Sequence, residues 1–141
     1  MMYLLDTNVV SEIRKIRTGK ADRQVATWAE HVDAAQLYIS TITVMELEIG
    51  ILAIERRDAR QGHRLRTWLE QSVLAEFRDR TLAIDTSVAR RCARLHVPDR
   101  RSERDALIAA TALVHGMAVV TRNVADFAAT GVALIDPWQA P

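Results

Sequence analysis

The amino-acid sequence predicts an α/β domain built around a mostly parallel sheet. Short apolar runs alternate along the chain with segments whose apolar residues recur at helical spacing, and this alternation is typical of a parallel sheet covered by helices. The chain has 141 residues, enough for one packed domain and too few for two. Hydrophobic residues make up 49% and charged residues 26%, which favours a folded globular protein over a disordered one. We therefore expect residues 1–141 to form a single domain.

Each predicted strand is a short apolar run that ends at a polar residue or a turn. The first run stops at Asp6, as expected of a buried strand that reaches the edge of its sheet. A run rich in β-branched residues ends in the same way at Thr121. The predicted strands are Tyr3–Leu5, Leu37–Ile39, Thr81–Ile84, Met117–Val120 and Val132–Ile135.

The predicted helices carry their apolar residues on one face. In the longest helical region, which starts at Thr43, apolar residues recur at helical spacing as far as Ile54. A polar stretch, Arg56–Gly62, divides it from the next helix, and Gly116 ends the most apolar one. The predicted helices cover Asn8–Ile16, Asp22–Val32, Thr43–Ile54, Arg64–Phe77, Thr86–Leu95, Glu103–His115 and Val124–Ala128.

Charge, cysteine content and hydropathy limit the classes of function. A formal net charge of +1 gives no overall electrostatic attraction to nucleic acid, so any such contact must come from local arginines. The single cysteine, Cys92, can form neither a disulfide framework nor a zinc site, which indicates a reducing compartment. No apolar run reaches the roughly 20 residues of a membrane span, and Asp6 comes too early for a signal peptide. We expect a cytoplasmic protein without a membrane partner.

Acidic residues occur where the predicted strands end and the following helices begin. Since the carboxyl ends of parallel strands face the same ligand-binding edge of a sheet, these acids should gather there. Several carboxylates at one edge repel each other unless a cation joins them. The residues concerned are Asp6, Glu46, Asp105 and Asp126.

A structural interpretation of the same acids stays open. An acid three residues after Ser, Thr or Asn fits a capping box, in which its side chain satisfies a free amide at the helix start. That pattern occurs in the pairs Thr43/Glu46, Ser102/Asp105 and Asn123/Asp126. Asp6 fits a structural role less well, because it directly follows a buried apolar run, but a role as the cap of the next helix stays open.

Taken together, the acids indicate a site for a hard metal ion. Carboxylates without neighbouring His or Cys select Mg²⁺ or Mn²⁺ and not zinc. Such an ion can activate a water molecule and neutralise a phosphate oxygen, which suits hydrolysis of a phosphodiester.

Four segments of the chain resemble the motifs of the PIN-domain family of metal-dependent ribonucleases, and they occur in that family's order. The match looks closest to the bacterial toxin branch, the VapC- and FitB-like toxins of type II toxin–antitoxin pairs. The ending Asp136-Pro137-Trp138 also looks like the FitB-type ending. The four segments are Leu4–Glu12 (LLDTNVVSE), Thr43–Leu47 (TVMEL), Arg104–Ala112 (RDALIAATA) and Thr121–Phe127 (TRNVADF).

The resemblance implies a fold, an activity and partners. The fold is a three-layer α/β/α domain with a mostly parallel central sheet and a protruding helical pair. The activity is that of a Mg²⁺- or Mn²⁺-dependent endoribonuclease acting as a toxin on RNA, and the partners are a second copy in a homodimer and a cognate antitoxin that blocks the active site. A catalytically silent module of the same fold, which binds RNA or a protein partner, stays open as an alternative.

The resemblance also implies roles for particular residues. The acidic pocket would contain Asp6, Glu46, Asp105 and Asp126, of which Asp6 and Asp105 are the direct metal ligands. Around it, Thr7, Asn8 and Thr121 would orient the carboxylates and water, Asn123 would share or replace the role of Asp126, and Arg122 would hold a substrate phosphate. A solvated loop arginine is the equally open interpretation of Arg122.

Six arginines flank the predicted approach to Asp105. Such a run is most often a solvated face, and it is also suited to an RNA backbone or an acidic antitoxin. These arginines are Arg90, Arg91, Arg94, Arg100, Arg101 and Arg104. The few aromatic residues give no clear platform for stacking RNA bases.

Two phosphate-handling classes with acids at strand ends are excluded by the lysines. Receiver domains need a lysine at the end of a late strand, and haloacid-dehalogenase phosphatases need a lysine together with Asp-x-Asp. The only lysines are Lys15 and Lys20, between the first two helices, and the first acid lies in Asp6-Thr7-Asn8. A nucleotide-binding protein is also disfavoured, because the glycines are isolated and form no phosphate loop.

Overall fold

The computed structural model describes residues 1–140, so the predicted domain is covered except for Pro141. Its strands are β1 (Tyr3–Leu5), β2 (Leu37–Ser40), β3 (Thr81–Leu82), β4 (Ala118–Val120) and β5 (Leu134–Ile135). They form one sheet in the order β3-β2-β1-β4-β5, and every pairing between neighbours is parallel. The prediction of an α/β fold with a mostly parallel sheet is therefore confirmed.

The helices connect these strands and cover the sheet. They are α1 (Thr7–Ile13), α2 (Arg23–His31), α3 (Thr41–Arg57), α4 (Ala59–Trp68), α5 (Leu74–Glu76), α6 (Thr86–Leu95), α7 (Glu103–His115) and α8 (Val124–Phe127). A π-helical turn, Leu69–Val73, joins α4 to α5, and short 3-10 turns cover Arg14–Thr18, Ala34–Gln36 and Ala128–Thr130. Within residues 1–140, none of these helices is both long enough and apolar enough to cross a bilayer.

The two faces of the sheet carry separate hydrophobic cores. Leu4 and Val119 belong to the core that packs on α6 and α7. Leu5 and Val120, the next residues along the same strands, belong to the core that contains side chains of α1 and α3. Successive residues of a strand point to opposite faces, so continuously apolar strands are what a sheet buried on both sides requires. These two cores confirm the predicted three-layer arrangement.

Helices α3 and α4 pack against each other and extend beyond the core, as the predicted helical pair should. No residue from Leu52 to Gln61 is buried, so the far end of the pair stands in solvent. The two helices approach closely at Gly62, where an added Cβ would lie 2.8 Å from Glu55 Cα. On the same pair, the Arg66 guanidinium donates to Glu55 Oε1 at 2.9 Å and to Glu48 Oε2 at 2.6 Å.

The predicted start of the third helix is wrong by two residues. Helix α3 begins at Thr41, because the Ser40 hydroxyl accepts the hydrogen bond from the Thr43 amide at 3.2 Å and so caps the helix. Glu46 consequently lies in the second turn of α3 and not in the first. The predicted division over Arg56–Gly62 also shrinks to Asp58, which caps α4 through the Gln61 amide.

Smaller differences concern the ends of elements. The predicted helix Asn8–Ile16 is α1 followed by a 3-10 turn, and the second helix is Arg23–His31 instead of Asp22–Val32. The predicted strands Thr81–Ile84 and Val132–Ile135 each shorten to two residues. Both lie at an edge of the sheet, where only one neighbouring strand fixes their length.

Candidate active site

Asp6 lies where β1 ends in the middle of the sheet, and its carboxylate is held from several sides. The side chain is buried, and the residue caps α1 because Oδ1 accepts from the Thr7 amide at 2.8 Å. The other oxygen, Oδ2, accepts from the Thr121 hydroxyl at 2.8 Å and lies 3.4 Å from Asn8 Nδ2. The predicted neighbours Thr7, Asn8 and Thr121 are thus brought together around this one carboxylate.

Burial makes the Asp6 carboxylate hard to ionise. Desolvation raises its pKa above the ordinary value of 3.8, against the opposing effect of the hydrogen bonds from Thr121 and Thr7. The charges of Glu46 and Asp126 raise the pKa further. An acid that is desolvated and surrounded by like charge gains the most from a bound cation.

Glu46 approaches the same place from α3. The Thr7 hydroxyl donates to Glu46 Oε1 at 2.6 Å, so Thr7 connects Glu46 to Asp6, which accepts from the Thr7 amide. The hydroxyls of Thr7 and Thr43 lie 3.2 Å apart, and Thr43 is fully buried. On the other side, Arg104 Nη1 lies 3.5 Å from Glu46 Oε2 and partly balances its charge.

Asp105 projects from the first turn of α7. Ser102 caps that helix, with its hydroxyl 3.5 Å from the Asp105 amide. Partial burial raises the pKa of the Asp105 carboxyl, and the charges of Asp6, Asp126 and Glu46 raise it further. The four acids predicted from the sequence therefore share one electrostatic field at the carboxyl edge of the sheet.

Two of the three possible capping boxes do not form. Ser40 caps α3 in place of Thr43, so Glu46 cannot be the acid of a capping box there. The Asn123 side chain makes no capping hydrogen bond, and Asp126 lies exposed in the first turn of α8. The capping-box explanation is thereby limited to the pair at the start of α7, while Asp6 also has a structural role as the cap of α1.

The loop after β4 supports Asp6 through a short chain of hydrogen bonds. The Thr121 hydroxyl donates to Asp6 and accepts from the Asn123 amide at 3.0 Å. The Asn8 side-chain oxygen accepts from the Arg122 amide at 3.3 Å. Asn123 therefore contributes to the site through its backbone, while Asp126 supplies charge.

The Arg122 side chain is exposed, and it stacks on an aromatic ring. Its guanidinium lies 5.1 Å from the centroid of the Trp138 ring, within the range of a cation–π contact. Hydrogen bonds from the Asp22 amide and Lys15 lower the pKa of Glu12, and the charge of Arg122 adds to this. Arg122 is therefore an exposed loop residue that makes one contact with an aromatic ring, an arrangement compatible with both interpretations of this arginine.

The acids are near one another without forming a closed metal cage. Among residues 1–140, no three carboxylate, imidazole or thiolate groups converge closely enough to enclose an ion. The sequence did not predict Thr43 and Arg104 as members of this group. Each is nevertheless part of a quoted motif, and Arg104 directly precedes Asp105.

Comparison with known proteins places this arrangement in a family. Residues 3–132 match the family model described as PIN domain. The chain belongs to the PIN-domain family. The matched range includes all four acids, so the predicted family is confirmed.

Proteins similar over their full length belong to the predicted branch of the PIN-domain family. The chain is 37% identical to the VapC ribonuclease Y4jK of Sinorhizobium fredii, over 98% of this chain and 99% of that protein. It is also 37% identical to the toxin FitB of Neisseria gonorrhoeae, over 98% and 99% of the two chains.

Solved structures share the fold. The crystal structure of FitAcB from N. gonorrhoeae matches with a TM-score of 0.88 at 33% identity, covering 99% of this chain and 100% of that one. A toxin–antitoxin complex from Klebsiella pneumoniae matches with a TM-score of 0.66 at 27% identity, over 98% and 99% of the chains.

Proposed function

We propose that this PIN-domain protein is the ribonuclease toxin of a toxin–antitoxin pair, and that it hydrolyses RNA phosphodiester bonds with the help of Mg²⁺ or Mn²⁺. The observation that carries the proposal is the buried Asp6 carboxylate, whose pKa is raised at a sheet edge shared with three further acids. A similar protein of nearly the same length is named a ribonuclease. An RNA substrate and hydrolysis by activated water are parts of the proposal that experiment must test.

The donor set fits a hard, oxygen-preferring cation. Asp6 and Asp105 would be its direct ligands, since their carboxylates gain most from a neutralising charge. Mg²⁺ is usually held by one or two carboxylates and retains several waters, so it does not need a closed cage of side chains. When bound, such an ion neutralises phosphate charge and lowers the pKa of a coordinated water.

The other residues of the site have distinct proposed roles. Thr121 and Thr7 fix the orientation of the Asp6 carboxylate through hydrogen bonds to its two oxygens. Glu46 accepts from the Thr7 hydroxyl at 2.6 Å and is placed to accept a proton from water near Asp6. Asp126 adds negative charge at the mouth of the site. Arg122 offers a guanidinium to a substrate phosphate, held in place by its contact with Trp138.

The activity is tested with the purified chain, free of any partner, on total RNA. Cleavage should require added Mg²⁺ or Mn²⁺ and should stop with a chelator. Asp105→Asn should abolish it, whereas Asp79→Asn, at an exposed acid in the turn before β3, should cut like the wild type. Binding of RNA without cleavage under any metal condition would overturn the enzyme and leave the silent RNA-binding module.

We also propose an antitoxin partner. The Klebsiella complex supports this, because it contains a chain of the same fold together with an antitoxin. The chain has a groove of about 720 Å³ between α1 and the segment that contains α5, lined by apolar side chains that include Ile13, Trp68 and Phe77. Co-expression with the gene product encoded beside it should give a stable complex with no ribonuclease activity, and an active complex would contradict the proposed inhibition.

A homodimer is the last part of the proposal. Helix α3 exposes three large apolar side chains on one face, namely Met45, Ile49 and Leu52, with exposed fractions of 40%, 45% and 53%. Their spacing of three to four residues makes one continuous apolar stripe, which suits contact with a second copy. Light scattering should give the mass of a dimer, and Ile49→Asp should shift it to the monomer. A wild-type monomer would refute this part alone.

A further inference from the structure

The surface of α6 carries a group of arginines around a shallow cavity. Arg90, Arg91 and Arg94, which we call the α6 arginine patch, line a cavity of about 260 Å³ together with Thr86, Ser87 and Val114. Helix α6 contains no acidic residue, and the acid at its start, Asp85, is occupied as the cap that accepts from the Val88 amide at 2.9 Å. Three guanidinium side chains therefore line the cavity without an acid on α6 to balance them, and Val114 forms an apolar wall.

Carboxylates do not neutralise the α6 arginine patch. Within residues 1–140, the acids within ion-pairing distance of an arginine pair with Arg66, Arg80 and Arg104, and none pairs with the patch. Since the whole chain has a net charge of only +1, this positive surface is a local feature. A concave surface with one sign of charge raises the local concentration of the opposite ion.

The patch continues towards the acidic site. Helices α6 and α7 pack together and run in opposite directions, because residues 96–102 join the end of one to the start of the other. Arg101 Nε donates to the Leu95 carbonyl at 2.6 Å at the end of α6, and Arg104 reaches Glu46. Val114, beside the patch, lies nine positions after Asp105 in α7, which corresponds to about 14 Å at about 1.5 Å per residue.

We propose that the α6 arginine patch binds the sugar-phosphate backbone of an RNA whose scissile phosphodiester lies at the acidic site. This inference rests on the proposed ribonuclease function. The distance of about 14 Å along α7 places the patch a few nucleotides from the cut. Guanidinium groups bind phosphate with paired hydrogen bonds. A protein-binding surface would instead present aromatic or large apolar side chains at its centre.

The test measures binding and cleavage separately. A labelled single-stranded RNA of mixed sequence, about 20 nucleotides long to exceed the span from patch to site, is titrated in an Asp6→Asn background with Mg²⁺ present. The measured quantity is the slope of log K, where K is the association constant for RNA, against the logarithm of the salt concentration. Replacing all three patch arginines by Gln should reduce the magnitude of this slope by about 2, since each phosphate contact on a single strand contributes about 0.7. A fourfold rise in salt concentration should therefore weaken RNA binding by the parent about 20-fold more than RNA binding by the variant.

A matched control separates position from charge. Arg56, Arg57 and Arg60 are exposed and together carry the same charge as the patch, but they lie at the far end of the α3–α4 pair. Replacing these three by Gln should leave the salt dependence of RNA binding at the parent value. Replacing the patch arginines by Lys should keep most of the salt dependence, which guards against a fold that fails without charge at this position.

The outcomes distinguish the patch from the enzyme. If the salt dependence of RNA binding falls equally in the patch and control variants, the patch is not an RNA-binding site. Absence of RNA binding by the parent overturns the proposal as well. Loss of antitoxin binding in the patch variant with unchanged RNA binding also overturns it and assigns the surface to the protein partner. Patch-dependent RNA binding by a wild-type chain that does not cleave with Mg²⁺ or Mn²⁺ supports the patch and refutes the ribonuclease.

Discussion

Helix α3 contributes acids to two groups of charged side chains that differ in how their charge is balanced. On one side, Glu48 and Glu55 share the guanidinium of Arg66 from α4. On the other side, Glu46 lies among Asp6, Asp105 and Asp126 at the edge of the sheet. The first group contains its own counterion, whereas the second relies for balance on a single exposed arginine, Arg104, at 3.5 Å from Glu46.

The two groups shift the pKa of their carboxyl groups in opposite directions. Hydrogen bonds from Arg66 lower the pKa of Glu55, as expected of an ion pair that holds two helices together. Burial and neighbouring acids raise the pKa of Asp6 and Asp105. A charged cluster that stabilises the fold favours its own ionised form, whereas one that binds a cation is left unbalanced until the cation arrives.

The largest expected difference between the two groups is in catalysis. Asp6→Asn should reduce RNA cleavage about 10³-fold or more, since a metal ion supplies several kcal/mol to the transition state and about 1.36 kcal/mol is tenfold in rate. Glu55→Gln should leave the cleavage rate unchanged. Initial rates on a fluorogenic RNA, at equal folded protein by circular dichroism, measure both. Comparable losses of cleavage rate in the two variants would show that the two groups of acids do not differ in their contribution to catalysis.

Removing a hydrogen bond to Asp6 should have an intermediate effect. Thr121→Val deletes the hydroxyl that donates to Asp6 Oδ2 at 2.8 Å, and loss of such an orienting contact typically costs 10- to 100-fold in activity or metal affinity, so a loss of about that size is expected. Thr130→Val removes an equally buried hydroxyl, which donates to the Phe127 carbonyl, and serves as the control. The control should lose about 1 kcal/mol of stability while keeping its activity. A control as inactive as Thr121→Val would show that the loss comes from the fold.

The balanced group should respond instead to changes in helix packing. Gly62→Ala places a methyl group 2.8 Å from Glu55 Cα, so α3 and α4 must separate at a cost of about 1–3 kcal/mol. Gly50→Ala, in the same helical pair but with open space around it, should stabilise the protein by about 0.5–1 kcal/mol. Urea unfolding measures both changes. Equal effects at the two glycines would mean that the close approach at Gly62 carries no strain.

The smallest effect concerns the dependence of stability on pH without metal. The pKa of Asp6 is raised in the folded state, so the folded protein holds this proton more tightly than the unfolded chain. That contribution is present below the ordinary pKa of 3.8 and is lost as the pH rises through the higher folded value. With a chelator at neutral pH, Asp6→Asn should therefore melt at a higher temperature than the wild type, and the gap should close in acid. An unchanged or lower melting temperature would identify Asp6 mainly as the cap of α1.

The elements predicted correctly are those whose ends are marked locally. The bounds predicted for Thr86–Leu95 and Glu103–His115 agree with the structure, because Asp85 and Ser102 cap these helices and Gly116 takes the left-handed conformation that ends the second one. The start of α3 was ambiguous, since both Ser40 and Thr43 are good caps and only packing decides between them. Edge strands were too long in the prediction for a similar reason, because the neighbouring strand sets their length.

The candidate site was partly predictable for the same reason. Asp6 follows a strand and Asp105 lies at the start of a helix, and the sequence marks both elements clearly, so their positions at one edge could be inferred. The contact between Thr7 and Glu46 joins residues 39 apart, and the hydrogen bond from Thr121 to Asp6 joins residues 115 apart. Local patterns carry no information on such pairs. The stacking of Arg122 on Trp138 was missed in the same way.

The parallel pairing of β1 with β4 has a consequence for the newly made chain. Asp6 is synthesised 115 residues before the Thr121 hydroxyl that orients it, and Thr121 directly follows β4, the strand that pairs with β1. At about 5–20 residues per second, translation separates the two by about 6 to 23 seconds. A nascent chain that has not yet reached Thr121 therefore lacks the completed acidic edge.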